Sequence, residues 1–121
     1  MKKTRDLLEN VLIDIEEGVR NGINADIIAR KHTLSSVHLQ RLFKITFKQP
    51  LGAYIRSRTL SESLNDLLYT DKNIIDIAIE YGFSFENSYS RSFKREFGIS
   101  PDNLRKSKQF IKIQPPLYFL I

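Results

Sequence analysis

An internal repeat of about 50 residues constrains the fold of this chain more than any other feature of its sequence. Its first part pairs Ile28-Ala29 with Ile77-Ala78, and Leu34-Ser35 with Phe83-Ser84, at an offset of 49 positions. After one inserted residue the offset becomes 50, and it pairs Arg41, Phe43-Lys44 and Phe47 with Arg91, Phe93-Lys94 and Phe97. Repetition at this period predicts one supersecondary unit that the chain forms twice.

In the first copy, helical periodicity and N-cap residues predict two helices joined by a tight turn. Asn24 and Ser35 are of the types that cap helices, and each precedes an apolar stripe. The helix after Ser35 is expected to end near Phe47, with Leu39, Leu42 and Phe43 on its buried side.

The second copy predicts the same arrangement. Asn73 followed by Asp76 resembles a capping box, which indicates the start of a short apolar helix. Gly82 is a typical C-terminal glycine, and Ser84 is the expected N-cap of the next helix. In that helix, aromatic residues recur every four positions and therefore share one side; they are Tyr89, Phe93 and Phe97.

The other segments also predict helices. The first runs from Thr4, its expected N-cap, to about Arg20. It has an acidic face that we expect to meet solvent, formed by Glu9, Asp14, Glu16 and Glu17. A long amphipathic helix from about Leu51 to Tyr69 joins the two copies. Ser100-Pro101-Asp102 starts a last helix, with Ser100 as its expected N-cap. No segment has the period of a strand, so the sequence predicts an all-α fold of about seven helices.

These elements divide the chain into four parts. Residues 1–50 form a first helix-turn-helix subdomain and residues 71–108 a second one, with the linker helix over 51–70 between them. Residues 109–121 form an apolar tail that contains Pro115-Pro116. We expect this tail either to pack on the protein's own core or to be a truncated linker to a further domain.

The second helix of each copy carries polar and basic residues opposite its apolar stripe. Positions i, i+3, i+4 and i+7 of this face are Val37, Gln40, Arg41 and Lys44 in the first copy, and Asn87, Ser90, Arg91 and Lys94 in the second. Arginine pairs with guanine, amides pair with adenine, and an aliphatic group packs on a thymine methyl. Phosphates are the expected contacts of residues further along the helices, namely Lys44, Lys48, Lys94 and Arg95. The repeated unit is therefore predicted to be a DNA-binding helix-turn-helix.

The charge balance agrees with a polyanionic partner. The 121 residues include 19 Lys and Arg against 14 Asp and Glu, which gives a net charge of +5. The chain has no cysteine, which excludes disulfides, cysteine-based zinc sites and thiol nucleophiles. No apolar run approaches the roughly 18 residues of a membrane span, so we expect a cytoplasmic protein without a membrane partner.

Other function classes find less support in the sequence. His32 and His38 are six positions apart, whereas a helical metal pair needs a separation of four. The chain also lacks a phosphate loop and a nucleotide-binding glycine motif, so we expect no enzyme, no metal ion and no cofactor. A protein-interaction module and an architectural protein that binds DNA without sequence preference remain as alternatives.

Residues 77–78, 81–84 and 88–101 form a motif that strongly resembles the signature of the AraC/XylS family of bacterial transcription regulators. In the first copy, residues 38–44 resemble the family's first recognition helix, and residues 51–58 resemble the start of its linker helix. Because the second motif is long and specific, chance is a poor explanation of the similarity.

The resemblance, over about residues 5–106, implies two helix-turn-helix subdomains that bind as a monomeric unit to two adjacent major grooves of double-stranded promoter DNA. It also implies transcription regulation, usually activation, through RNA polymerase at the nucleoid in the bacterial cytoplasm. Carried over by position, the base-reading residues are Ser36, Val37, Gln40, Arg41, Glu86, Asn87, Ser90 and Arg91.

Several positions depart from the family pattern. Thr33 and Lys48 stand where the family commonly has glycine, so we expect the first subdomain to be strained or shaped differently. Val37 replaces a large aromatic residue of close relatives, and Leu104 replaces a frequent tyrosine. Many members are longer, so the chain is also compatible with the DNA-binding part of an effector-responsive regulator. A small-molecule effector is expected only in that case.

Overall fold

The computed structural model describes residues 2–117, which form seven α-helices, one 3₁₀ helix and no strand. The elements are α1 (Lys2–Gly18), the 3₁₀ helix (Val19–Asn21), α2 (Ala25–Lys31), α3 (Ser36–Phe47), α4 (Leu51–Tyr69), α5 (Ile74–Glu80), α6 (Glu86–Phe97) and α7 (Pro101–Ser107). The predicted all-α fold is confirmed, and the linker helix α4 has the predicted bounds. None of the described helices is long and apolar enough to span a membrane.

Three predicted N-caps are confirmed by hydrogen bonds. Each side chain accepts a hydrogen bond from the backbone N–H three residues later, at 3.0 Å for Asn24, 3.1 Å for Ser35 and 3.2 Å for Ser100. These caps fix the first residues of α2, α3 and α7, because each satisfies an N–H group that the helix itself leaves unpaired.

Three other capping predictions are wrong. Thr4 lies inside α1, because that helix begins at Lys2. Asn73 occupies the N-cap position of α5, as predicted, but it makes no side-chain capping bond, so Asn73 and Asp76 form no capping box. Ser84 lies one residue too early to cap α6, because the inserted residue of the repeat is Phe85, which occupies the N-cap position without a side-chain hydrogen bond.

The apolar core consists of two clusters that share the linker helix. The first joins α1, α2, α3 and the N-terminal part of α4, which contributes Leu51, Tyr54 and Ile55. The second joins α5, α6, α7 and the C-terminal part of α4, which contributes Leu60, Leu64 and Leu67. The linker helix is therefore buried along most of its length and is a structural member of both helix-turn-helix units.

Part of the acidic face of α1 packs against the protein, contrary to the prediction that it meets solvent. Asp14 is 2.6 Å from Lys31 Nζ and 2.6 Å from His32 Nε2, so it ties α1 to the end of α2. Burial disfavours its charge, but the hydrogen bonds from Lys31 and His32 outweigh burial and lower the pKa of Asp14. Glu16 accepts hydrogen bonds from Arg58 of the linker helix.

The segment after α7 crosses back over the linker helix. The backbone N–H of Gln114 donates to the Ser61 hydroxyl at 3.3 Å, and that of Leu117 donates to the Tyr54 hydroxyl at 2.9 Å. Leu117 is buried in the first cluster. Of the predicted apolar tail, Leu117 therefore lies in the first cluster and Ile111 packs against the second, and residues 118–121 lie outside the described residues.

Candidate nucleic-acid interface

The two copies of the repeat share one backbone hydrogen bond at the start of the turn between their helices. The N–H of Leu34 donates to the carbonyl of Ala29 at 2.8 Å, and the N–H of Phe83 donates to the carbonyl of Ala78 at 2.9 Å. These bonds close equivalent turns between α2 and α3 and between α5 and α6. The rest of the connection differs, because four residues join α2 to α3 and five join α5 to α6.

Left-handed backbone conformations occur at equivalent positions of the two copies. In the turns, Thr33 has φ +56° and Gly82 has φ +89°. Directly after α3 and α6, which we call the recognition helices, Lys48 has φ +61° and Gly98 has φ +77°. This conformation costs an ordinary L-residue roughly 1–2 kcal/mol. Of the two predicted alternatives, the first is therefore confirmed: Thr33 and Lys48 are strained, at positions where the second copy has glycine.

Aromatic and aliphatic side chains hold one side of each recognition helix in the core. Phe43 in α3 and Phe93 in α6 are fully buried. The ring centroids of Phe43 and Phe47 are 4.7 Å apart, and those of Phe93 and Phe97 are also 4.7 Å apart. Burial raises the pKa of Tyr89 to about 12, so its hydroxyl stays neutral. It lies 2.8 Å from the hydroxyl of Ser63 on the linker helix. These contacts orient α3 and α6, which leaves the opposite faces free.

The exposed face of α3 carries the residues predicted to contact bases. Val37 is 65% exposed, and Gln40 and Arg41 are also exposed. Ser36 is half-buried, and its hydroxyl accepts a hydrogen bond from the Gln40 amide at 2.8 Å. This bond holds the Gln40 side chain along the N-terminal half of the helix, beside Arg41.

The exposed face of α6 has an equivalent arrangement. Glu86, Asn87 and Arg91 are exposed, and Ser90 is half-buried. All eight predicted base-reading residues therefore lie in the N-terminal halves of α3 and α6.

Phe85 is a residue of this surface that sequence reasoning did not select. It lies directly before α6 and is 70% exposed, which is unusual for a phenyl ring in a small protein. The one-residue change of offset in the repeat was the signal that could have located it.

The cations of the protein differ in whether they have partners within the fold. Arg20, Arg58 and Lys72 pair with carboxylates within the fold. Six exposed cations on or next to the recognition helices have no partner within residues 2–117; they are Arg41, Lys44, Lys48, Arg91, Lys94 and Arg95. These two helices therefore present unpaired positive charge on their exposed sides, where an anionic ligand would meet it.

Comparison with known proteins agrees with this geometry. A family model described as a helix-turn-helix domain matches residues 28–107. The transcriptional activator AarP of Providencia stuartii is 37% identical over 101 residues, which are 84% of this chain and 75% of AarP. The chain belongs to the AraC/XylS family. The family's two helix-turn-helix units correspond to α2–α3 and α5–α6.

Longer family members also match. The transcriptional regulator Rob of Salmonella typhimurium is 36% identical over 113 residues, which cover 92% of this chain but 39% of Rob. The chain thus spans about two-fifths of the length of this relative. Among solved structures, the C-terminal domain of the response regulator YesN from Fusobacterium nucleatum has a TM-score of 0.78 at 27% identity. The similarity covers 83% of this chain and 98% of that domain.

Proposed function

We propose that the protein binds double-stranded DNA sequence-specifically and regulates bacterial transcription, with α3 and α6 in two adjacent major grooves. The observation that carries the proposal is that Arg41 and Arg91 occupy equivalent, exposed positions on α3 and α6. Each of these helices is anchored in the core by its opposite side. Neither guanidinium has a partner within residues 2–117, so each is available for a bidentate contact with guanine.

The other exposed residues have roles that follow from their chemistry and position. Val37 packs on a thymine methyl group, and Gln40 and Asn87 contact adenine. Ser36, Glu86 and Ser90 complete the base-reading sets at the N-terminal halves of the helices. Phosphate contacts are assigned to residues nearer the helix C-termini, which are Lys44, Lys48, Lys94 and Arg95.

The length of the linker helix is comparable to the repeat of the major groove, which supports this mode of binding. Its 19 residues correspond to a length of about 28 Å. Major grooves on one face of the duplex recur about every 34 Å. Because the linker belongs to both apolar clusters, it can hold the two recognition helices at a separation of this order.

Activation through RNA polymerase is the regulatory mode that we propose, and AarP, whose name describes a transcriptional activator, supports it. Its site of action would be promoter DNA in the bacterial nucleoid. A small-molecule effector belongs to the proposal only if the chain is the DNA-binding part of a longer regulator, as the match to part of Rob allows.

Selection from random duplexes at physiological salt tests the proposal. We expect two half-motifs about one helical turn apart. Arg41→Ala and Arg91→Ala should each weaken binding by about 1 to 3 kcal/mol and abolish the preference at one base pair, in different halves of the motif.

Lys3→Ala is the matched control, because it removes one exposed positive charge from α1, which is not a recognition helix. It should leave both half-motifs unchanged. Recovery of no motif, together with salt-sensitive binding to every duplex, would indicate a non-specific architectural protein instead.

A further inference from the structure

A direct backbone contact joins the two helix-turn-helix subdomains. Gly22 follows the 3₁₀ helix of the first subdomain, and Gly82 lies in the turn between α5 and α6. A Cβ atom on Gly82 would lie 2.5 Å from the Cα of Gly22, and one on Gly22 would lie 3.1 Å from the Cα of Gly82. Because carbon atoms pack at about 3.5–4.0 Å, a side chain on Gly82 would force the two segments apart by roughly 1 Å.

The close approach is a separate requirement from backbone conformation. Gly82 has φ +89° and Gly98 has φ +77°, so both glycines adopt a left-handed conformation. A Cβ atom on Gly98, however, would meet nothing within 4 Å. Thr33 occupies the turn position of the first copy that corresponds to Gly82, at φ +56°. Only the second turn, which touches Gly22, therefore needs a residue without a side chain for steric reasons.

Polar interactions beside this contact tie the same two segments together. Arg20 lies two residues before Gly22, and its Nη1 atom is 3.3 Å from Asp66 Oδ2 and 3.6 Å from Glu80 Oε1. The Arg20 guanidinium carbon is also 5.4 Å from the ring centroid of Tyr81. Arg20 thus connects the first subdomain to the linker helix and to the end of α5.

Asp66 is the centre of this polar cluster. Its carboxylate accepts hydrogen bonds from the Tyr81 hydroxyl at 2.9 Å and from Lys72 Nζ at 3.3 Å. Burial opposes ionisation, but the hydrogen bonds from Tyr81 and Lys72 outweigh it and lower the pKa of Asp66. Asp66 is therefore charged at neutral pH, and its carboxylate binds both the Arg20 guanidinium and the Tyr81 hydroxyl.

We infer that the Gly22–Gly82 contact and the Arg20 ion pairs fix the relative orientation of α3 and α6, and thereby the spacing between half-sites that the protein accepts. The part of this inference that concerns DNA rests on the proposed function. One added base pair shifts a half-site by about 3.4 Å and rotates it by about 35°. A rigid pair of recognition helices cannot follow both changes, so it selects a single spacing. Gly22, Gly82 and Arg20 are positioning residues.

A distance measurement tests the rigid contact without DNA. The chain has no cysteine, so Asp26→Cys and Asp76→Cys introduce two unique spin-label sites, which are exposed and lie in the first turns of α2 and α5. Double electron–electron resonance should give one narrow distance distribution for this labelled chain and for the same chain with Gly98→Ala. Gly82→Ala should shift or broaden the distribution. An unchanged distribution in folded Gly82→Ala would overturn the inference.

Spacing preference tests the consequence for DNA. The selected duplex is compared with duplexes whose central spacer is one base pair longer or shorter. The wild type and Gly98→Ala should lose about tenfold or more in affinity for either altered spacer, comparable to a mismatch. Gly82→Ala should lose less than threefold and keep the base preference of each half-site. Equal spacing preference in Gly82→Ala and the wild type would refute the assigned role.

The two measurements separate this inference from the proposed function. If the wild type selects no duplex, the proposed function fails, while the spin-label distances still decide whether the subdomains are locked. If Gly82→Ala does not fold by circular dichroism, Arg20→Ala replaces it, because this variant removes the ion pairs and leaves the backbone contact unaltered. Folded Arg20→Ala should show a broader distribution than the wild type, and identical distributions would overturn the inference.

Discussion

At the scale of single residues, the first subdomain contains backbone strain that the second subdomain avoids with glycine. Thr33 and Lys48 hold the left-handed conformation that Gly82 and Gly98 hold in the second copy. The Thr33 hydroxyl donates to the carbonyl of His32 at 2.6 Å, which offsets part of the cost. Strain at a turn that keeps its shape lowers stability without changing the interface.

Thr33→Gly should therefore stabilise the protein. Relief of the left-handed conformation gains roughly 1–2 kcal/mol, and the greater freedom of glycine in the unfolded chain removes part of that gain. We expect the free energy of unfolding in urea to rise by about 0.5–1 kcal/mol. The same substitution at Thr46, an exposed residue inside α3, is the control and should lower it by a few tenths of a kcal/mol. A loss of stability in Thr33→Gly would contradict the assignment of strain.

Residue positions were predictable from sequence where the signal is local. The spacing of Val37, Gln40 and Arg41 relative to the apolar stripe placed them on the exposed side of α3, and they are exposed. Asp14 was assigned to the solvent because its partners, Lys31 and His32, are 17 and 18 positions away. Helical periodicity within one helix does not predict which polar side chain of another helix will pair with it.

At the scale of helices, the start of α6 lacks the cap that the other recognition helix has. Ser35 accepts a hydrogen bond at the start of α3, whereas Phe85 at the equivalent position makes none. Prediction failed here because the sequence offers a serine, Ser84, one residue before the position that the backbone uses. By contrast, Pro50 marks the start of the linker helix, which the sequence located correctly.

Phe85→Ser should supply the missing cap and stabilise α6. A serine at an N-cap contributes about 0.5–2 kcal/mol relative to residues that cannot cap. We expect a rise of about 1 kcal/mol in the free energy of unfolding, measured by urea denaturation followed by circular dichroism. Ser35→Ala is the reciprocal variant and should lower it by about the same amount. If Phe85→Ser is less stable than the wild type, the phenyl ring has a structural contact that outweighs the cap.

Arg58 connects three segments at one buried site, and its loss should be costly. Arg58 is 2% exposed. Its guanidinium donates to both oxygens of Glu16 at 2.8 Å, to Glu62 at 2.7 Å and to the Gln114 carbonyl at 2.6 Å. Removal of one partner of a buried ion pair typically costs about 3–5 kcal/mol. We expect a loss of this size in Arg58→Ala, measured by urea denaturation.

Arg58→Lys should recover only part of this stability, because an ammonium group cannot make the bidentate bond to Glu16. Lys106→Ala is the control, since it breaks an exposed ion pair with Asp102 on the surface of α7. That variant should change the free energy of unfolding by less than about 1 kcal/mol. Equal effects of Arg58→Ala and Lys106→Ala would show that the buried network contributes no more than a surface pair.

At the scale of the whole molecule, the relative placement of the two units was outside the reach of sequence reasoning. The repeat predicted both helix-turn-helix units and the helix between them. Gly22 and Gly82 are 60 positions apart, and glycine adds nothing to an apolar pattern, so their contact leaves no signal in one sequence. The contact between Gly22 and Gly82 requires that neither residue has a side chain, and this requirement is visible only in the structure.

The distribution of charge over the molecule predicts how DNA binding depends on salt. Each phosphate neutralised by a cation releases counterions, so the slope of log K against log salt is about −0.9 for each such contact. Four contacts, from Lys44, Lys48, Lys94 and Arg95, correspond to a slope of about −3.6. Lys94→Ala should reduce its magnitude by about 0.9 and weaken binding to all duplexes alike, without altering the selected motif. Lys3→Ala removes the same charge from α1 and should leave the slope unchanged; equal slopes for both variants would show that net charge, not contact with phosphate, governs binding.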